Sequence, residues 1–165
     1  MLREIKTERL VLRPLAEADR PAVVAIETDP ATNRLNPALP APPDGELLFD
    51  SWLAHWAEHG YGYCAVRERG GTEVLGLAGV RLRRFRDERV LNLAYRFAPA
   101  AWGERYAVEA PRAAVDWVER ELPAIPVLIS VNVANTPSLR VVERLGFTKY
   151  EEEEYEGAVS RHFRR

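Results

Sequence analysis

Apolar and polar residues change their spacing several times along the chain, and each change marks an element. In Thr7 to Leu15 (TERLVLRPL), Leu10 and Leu12 share one face, which predicts a half-buried strand ended by Pro14. Asp19 and Pro21 then open a helix through AVVAIE, with proline tolerated in its first turn. Pro37 to Gly45 (PALPAPPDG) carries four prolines and is expected to be a loop. Leu48, Trp52, Leu53 and Trp56 fall at helical spacing, so Glu46 to His59 reads as a second helix broken by Gly60. Three strands follow, Tyr61 to Arg67, Val74 to Arg83 and Arg89 to Phe97. Gly70-Gly71 and the stretch RRFRDER supply the turns of an antiparallel meander. Gly76 and Gly79 leave the middle strand room for close packing or a bend. After Ala98-Pro99 the period changes again. Ala107, Ala110, Ala114, Trp117, Val118 and Glu121 trace a helix that stops before Pro123. Val127 to Val133 is a short apolar strand. Thr136 to Leu145 is a helix with Gly146 as its C-terminal cap. Phe147 to Tyr155 and Ala158 to Phe163 are the last two strands. The order β, α, α, β, β, β, α, β, α, β, β gives a mixed α/β (α+β) domain around one central sheet.

At 165 residues the chain is expected to be a single domain, residues 1–165, by the prior of roughly 100–200 residues per domain. Apolar residues at 47% and charged residues at 29% argue against disorder. A net charge of -2 weighs against a nucleic-acid partner. The single cysteine, Cys64, excludes an intrachain disulfide and a cysteine-based zinc site, and the three histidines leave little for any metal. No apolar run approaches the roughly 20 residues that span a bilayer. The first residues, MLREIKTERL, lack the apolar stretch of a signal peptide. No membrane partner and a cytoplasmic location are therefore expected.

Two junctions could carry chemistry. From Phe97 to Ala110 (FAPAAWGERYAVEA) a strand ends, a loop with Gly103 follows, and a helix starts; helix N-terminal amides hold anions, though an ordinary strand–helix turn explains the same residues. From Asn132 to Phe147 (NVANTPSLRVVERLGF) a strand hands over to a helix at Asn135, with Ser138 one turn along. Asn135 as N-cap, with Pro137 in the first turn, accounts for that pattern without any function.

Taken together, the segments TERLVLRP, LAYRFAPAAWGERYAVEA and NTPSLRVVERLGF resemble, in order and spacing, the GNAT superfamily of N-acetyltransferases, and within it the RimJ/RimL-like branch. The resemblance covers nearly the whole chain. It implies a mostly antiparallel, twisted sheet of about seven strands, splayed between strands four and five and flanked by about four helices. It implies acetyl-CoA as co-substrate, held in that gap, with no metal. Main chain near Phe97 would pair with the pantetheine. Amides of Trp102, Gly103, Glu104, Arg105, Tyr106 and Ala107 would cradle the pyrophosphate. Asn135 would orient the pantetheine arm, and Ser138 would protonate the leaving thiolate. A primary amine, on a small molecule or a protein N-terminus, would attack the thioester directly. Its proton needs a base. Glu154 is the first candidate and Glu153 the next, although the run Glu151–Glu154 also reads as a solvated face whose side chains alternate between two sides of a strand. A homodimer is implied by the resemblance alone.

The sequence also departs from the family. The loop pattern Gln/Arg-x-x-Gly-x-Gly/Ala becomes Ala100, Gly103, Arg105. Pro111 falls inside the following helix, which must kink or start late. Val108 precedes Glu109 in place of a small hydroxyl residue. Asn92 stands where many relatives carry Glu, and Ser160 where Asp is frequent. A positive φ at Arg105 would be strained. These changes motivate an alternative, a catalytically silent GNAT-fold binding or regulatory module with a degraded pyrophosphate loop. A third reading keeps the fold and changes the acyl-CoA.

Overall fold

A computed structural model describes residues 1–35, 42–155 and 157–165. Eight strands and four helices run in the order β1 (Ile5–Lys6), β2 (Leu10–Pro14), α1 (Arg20–Thr28), α2 (Pro42–His59), β3 (Tyr63–Glu68), β4 (Gly76–Phe85), β5 (Glu88–Phe97), α3 (Tyr106–Glu121), β6 (Val127–Asn132), α4 (Thr136–Arg144), β7 (Tyr150–Tyr155) and β8 (Ala158–Arg164). They form one sheet in the order β1-β2-β3-β4-β5-β6-β8-β7. Every neighbouring pair is antiparallel except β5 and β6. The expected element order and mixed class hold. The strand count rises to eight because Ile5–Lys6 pairs with β2 across a turn in which Thr7 bonds both ways with Leu10.

Side chains alternate across the sheet and build two cores. On one face Leu10, Leu12, Val66, Ala78, Leu93 and Phe97 pack under α3 with Ala110, Ala114 and Val118. On the other, Tyr63, Ala65 and Leu77 meet Val23 of α1 and Phe49 and Trp52 of α2. Helices on both faces explain one difference from expectation. β2 is not half-buried, since Val11 between the two leucines is 3% exposed.

Three local expectations need correction. Residues 42–45 belong to α2 rather than to the proline-rich loop, because proline fits a first helical turn; 37–41 lie outside the described residues. The β4–β5 connection is not a long loop. Phe85 pairs with Glu88, and Arg86 (φ 47) and Asp87 (φ 65) make a two-residue turn, the geometry that matches strand twist. Finally, α3 starts at Tyr106 and carries Pro111 in its second turn, fully buried, at the loss of one intrahelical N–H donor.

Gly76 illustrates how small residues shape the middle strand. A Cβ there would lie 2.5 Å from the Phe97 ring and 2.6 Å from the Arg96 carbonyl, so β4 and the end of β5 close up only without one. α4 ends as expected at Gly146. The amides of Gly146 and Phe147 bond back to the Glu143 and Val142 carbonyls, while Phe147 buries beside Val142.

Candidate active site

The parallel pair β5–β6 is short. It holds only at Leu91↔Val127 and Asn92↔Leu128, and beyond those residues the two strands diverge. Which backbone groups face the gap follows from the ladders, because alternate residues of an antiparallel strand bond to the same neighbour. Ala98 donates to Leu75 on the β4 side and Leu91 donates to Pro126 on the β6 side. Leu93, Tyr95 and Phe97 therefore direct their main chain into the gap. From the opposite wall, Val127 bonds with Arg165 and Val133 with Val159, which leaves Ser130 and Asn132 facing the gap. The result is a strand edge inside the fold that is open at Leu93 and Tyr95 and suited to receive an extended ligand, with the Phe97 and Asn132 carbonyls taken by the Trp102 indole and the Asn135 amide at its ends.

The gap opens onto the loop before α3. A single 3₁₀ turn, Pro99–Ala101, carries Trp102 back so that its indole N–H donates to the Phe97 carbonyl at 2.9 Å. Gly103 takes φ +88, and Arg105, at φ 61 and ψ 22, is left-handed as well. The strain anticipated for a positive φ at Arg105 is thus present, at a cost of roughly 1–2 kcal/mol for a side-chain-bearing residue. Past this turn, Val108 and Glu109 both donate to the Arg105 carbonyl. The five amides from Gly103 to Ala107 have no acceptor among the described residues. The Arg105 guanidinium also makes no ion pair or hydrogen bond with them. It lines an outer groove of about 730 Å³ with Thr7, Arg9, Val108 and Arg112. The loop is neither satisfied internally nor capped by its own arginine.

The opening motif of the chain holds this loop in place. Thr7 Oγ1, the Arg9 amide (3.0 Å) and Arg9 Nε (2.7 Å) all donate to the Glu109 carboxylate in the first turn of α3. Burial would raise the Glu109 pKa, but these donors outweigh it and hold it below the usual carboxylate range. Arg9 Nη2 also donates to the Glu104 carbonyl at 2.7 Å, and the guanidinium lies 4.6 Å from the Tyr106 ring. Tyr106 itself is buried, with its hydroxyl donating to Glu68 at 2.9 Å; only its amide faces the loop. Ala107 likewise brings its amide to the loop and its methyl to the core.

Across the gap, Asn135 caps α4 by accepting the Ser138 amide at 3.2 Å. The structural explanation drawn from sequence for Asn135 is therefore present, and it fixes Ser138 one turn along. Sequence reasoning missed the partner of Ser138. Tyr95, on β5, donates its hydroxyl to Ser138 Oγ at 3.0 Å, bridging the two diverging walls. Burial raises the Tyr95 hydroxyl to about 12, so it stays protonated and stays a donor. The signal was its position, two residues from Leu93 and Phe97 on the same strand face.

The sheet face under α1 and α2 has a polar floor. Asn92 donates to the Tyr63 hydroxyl at 2.9 Å. Arg81 and Arg83 project from β4 on this face, each close enough for its charge to bear on Tyr63. Further across, Ser130 Oγ and His162 Nδ1 are 2.7 Å apart. Burial lowers the His162 pKa, offset by Glu153 and reinforced by Arg86 and Arg83, so the ring is neutral at pH 7. The four consecutive glutamates divide as a strand requires. Glu151 and Glu153 bind Arg86, and Glu152 binds Arg161 at 2.9 Å. Glu154 pairs with Val159 on the edge strand β7, exposed, with two strands between it and the gap only through β8 and β6. The structure does not bring Glu154 together with Ser138. Trp52 and Tyr63 meet edge to face at 5.2 Å in the core, and Trp56 donates its indole N–H to the Tyr63 carbonyl. They are packing residues. Burial pushes the Cys64 thiol up to about 12, which leaves it no nucleophilic role. Among the described residues no group of three His, Cys, Asp or Glu side chains could hold a metal ion.

Comparison with known proteins agrees with this geometry. A family model described as an acetyltransferase (GNAT) domain matches residues 9–148. The protein YkkB of Bacillus subtilis (strain 168), itself uncharacterized, is 34% identical over 92 residues, 54% of this chain. The match spans about half, 53%, of that relative's length. A solved acetyltransferase from Agrobacterium tumefaciens str. C58 superposes with a TM-score of 0.84 at 26% identity, covering 100% of this chain and 96% of the other. A GNAT-family acetyltransferase from Bacillus anthracis gives 0.79 at 20% identity over 98% and 97%. The fold is shared too with RimL, a ribosomal alpha-N-protein acetyltransferase solved in complex with coenzyme A, at a TM-score of 0.77 and 17% identity over 98% and 97%.

Proposed function

Because this chain belongs to the GNAT acetyltransferase family, we propose that it transfers an acetyl group from acetyl-CoA to a primary amine, on a small molecule or a protein N-terminus. The observation that carries this reading is the row of five unaccepted amides, Gly103 to Ala107, at the mouth of the gap. A diphosphate supplies the acceptors that such a nest of N–H groups lacks. Acetyl-CoA contributes the acetyl group as a thioester. The pantetheine lies along the main chain of Leu93, Tyr95 and Phe97, with Asn135 holding the helix end beside it. Residues 1–165 act as one N-acetyltransferase-like domain, and the homodimer rests on family resemblance alone. Among the described residues no helix is long and apolar enough to cross a membrane.

In the reaction the amine nitrogen bonds to the thioester carbon, and the carbon–sulfur bond breaks. Developing negative charge on the carbonyl oxygen meets a β5 amide facing the gap. Ser138 donates its proton to the departing thiolate. Because Tyr95 donates to Ser138 Oγ, the serine's own O–H is free to point at the sulfur. For the proton leaving the amine, the sequence favours Glu154 and then Glu153. Ser130 stands on the gap-lining strand β6 and holds the neutral His162 beside it on β8; this pairing favours His162, and we assign the role there.

The test is thiol release from acetyl-CoA with a panel of primary amines. Steady release is expected, falling about 100-fold or more in His162→Gln while coenzyme affinity stays within twofold. A depressed histidine pKa means the neutral, accepting ring is present above that pKa and lost as pH falls through it. With a weakly basic amine the rate should therefore hold to lower pH than an ordinary histidine would allow and decline only as pH falls through the depressed pKa. Loss in Glu154→Gln instead would return the base to Glu154. Coenzyme binding without release for any amine would establish the silent module.

A further inference from the structure

Buried polar side-chain atoms are almost always paired, so those that are not point to a missing partner. Four such atoms occur among the described residues: His55 Nδ1, Arg81 Nε, Arg83 Nε and His162 Nε2. Three of the four lie on the floor beside the gap. The two arginines are half-buried, and neither has a carboxylate within 4.0 Å among the described residues. Other arginines do better. Arg9, Arg13, Arg20 and Arg96 each reach an acidic side chain. Glu153, whose carboxylate lies 3.8 Å from His162 Nε2 on this floor, is already bound to Arg86 at 2.8 Å. Arg81 lies over the Tyr63 ring at 5.9 Å and Arg83 over the Phe85 ring at 5.5 Å, but neither ring supplies the counter-charge that a half-buried guanidinium needs to offset its lost hydration. Two of them on one strand, at Arg81 and Arg83, concentrate positive charge next to the place where the amine must stand.

We propose that the acceptor is a primary amine that also carries an anionic group, a carboxylate or a phosphate, which Arg81 and Arg83 bind. The inference rests on the transferase reading and narrows its substrate class. Guanidinium N–H groups give charge-assisted bonds to either anion, and the fork geometry fits both. The anion sits over β4, and the amine then extends across Asn92 toward the gap and the Ser130–His162 pair.

The test compares matched acceptors: a small amino carboxylate against its methyl ester, a small amino phosphate against the parent amino alcohol, and a peptide with an acidic second residue against its amide counterpart. The charged member of a pair should exceed the neutral one at least tenfold in kcat/KM. The pair that shows the larger ratio identifies whether a small molecule or a peptide is the source. Arg81→Gln/Arg83→Gln should erase that ratio and leave coenzyme affinity unchanged. Arg83→Lys, which keeps the charge, should retain most of it. Calorimetric titration of the same amines into the coenzyme-bound protein reads the ratio without turnover. An anion-dependent affinity lost in the arginine variants would stand even if no amine reacted. Equal binding of charged and neutral members, or a ratio that survives Arg81→Gln/Arg83→Gln, would overturn the proposal.

Discussion

Replacing Gly103 by valine is expected to lower coenzyme A affinity at least 100-fold, about 2.8 kcal/mol, while leaving the fold intact. Gly103 adopts φ +88, a region that costs a β-branched residue more than any other type. A Cβ built at this position meets no heavy atom within 4 Å, so the penalty is not one of packing. Stability should fall by only about 1–2 kcal/mol. The loss of affinity has a separate cause. Either the loop abandons its left-handed turn and scatters the amides from Gly103 to Ala107, or the valine stands where the phosphates approach the backbone. Arg105→Gly is the informative partner. Arg105 already holds a glycine-like conformation with an unbonded guanidinium, so its removal should leave affinity within about threefold. Calorimetric titration with coenzyme A and thermal unfolding of both variants check this. Affinity unchanged in Gly103→Val would mean that the diphosphate lies elsewhere.

Ser138→Ala is expected to lower kcat by 100-fold or more, within the usual range of roughly 10²–10⁴ for a positioned proton donor, with little change in coenzyme affinity. Tyr95→Phe should cost less, about tenfold, because it removes the group that orients Ser138 and not the donor itself. Stability separates this from a merely structural contact. Ser138→Ala strands the buried Tyr95 hydroxyl without an acceptor, at about 1–3 kcal/mol. Tyr95→Phe/Ser138→Ala removes both partners and should be no less stable than Ser138→Ala alone. If the serine variant lost stability but kept its turnover, the Tyr95–Ser138 bond would be a brace and no more.

The architecture was legible wherever one element's residues decide it. Leu48, Trp52, Leu53 and Trp56 do form one helix, and Asn135 does cap another. The loop before α3 was legible as a candidate anion site from its glycine and its place between strand and helix. Its left-handed turn was legible only as a conditional strain at Arg105, because left-handed backbone is read from glycine or asparagine, and here an arginine adopts it. The same limit hid the two-residue turn at Arg86 and Asp87. Pro42 and Pro43 pointed to a loop and instead start a helix, since proline signals a boundary without saying on which side. Contacts between residues distant in the chain left no local signal at all. Tyr95 and Ser138 are 43 positions apart, and Thr7 and Arg9 lie about a hundred from the Glu109 they hold. Ser130 and His162 are 32 positions apart, and only the β6–β8 ladder sets them side by side.

Amide NMR of isotope-labelled protein titrated with coenzyme A tests the phosphate nest most directly. The signals of Gly103, Glu104, Arg105, Tyr106 and Ala107 should move furthest and together. Pantetheine, which lacks the diphosphate, should leave them in place while shifting Leu93 and Tyr95. Saturating coenzyme A with those five amides unmoved would contradict the assignment of this loop as the diphosphate site.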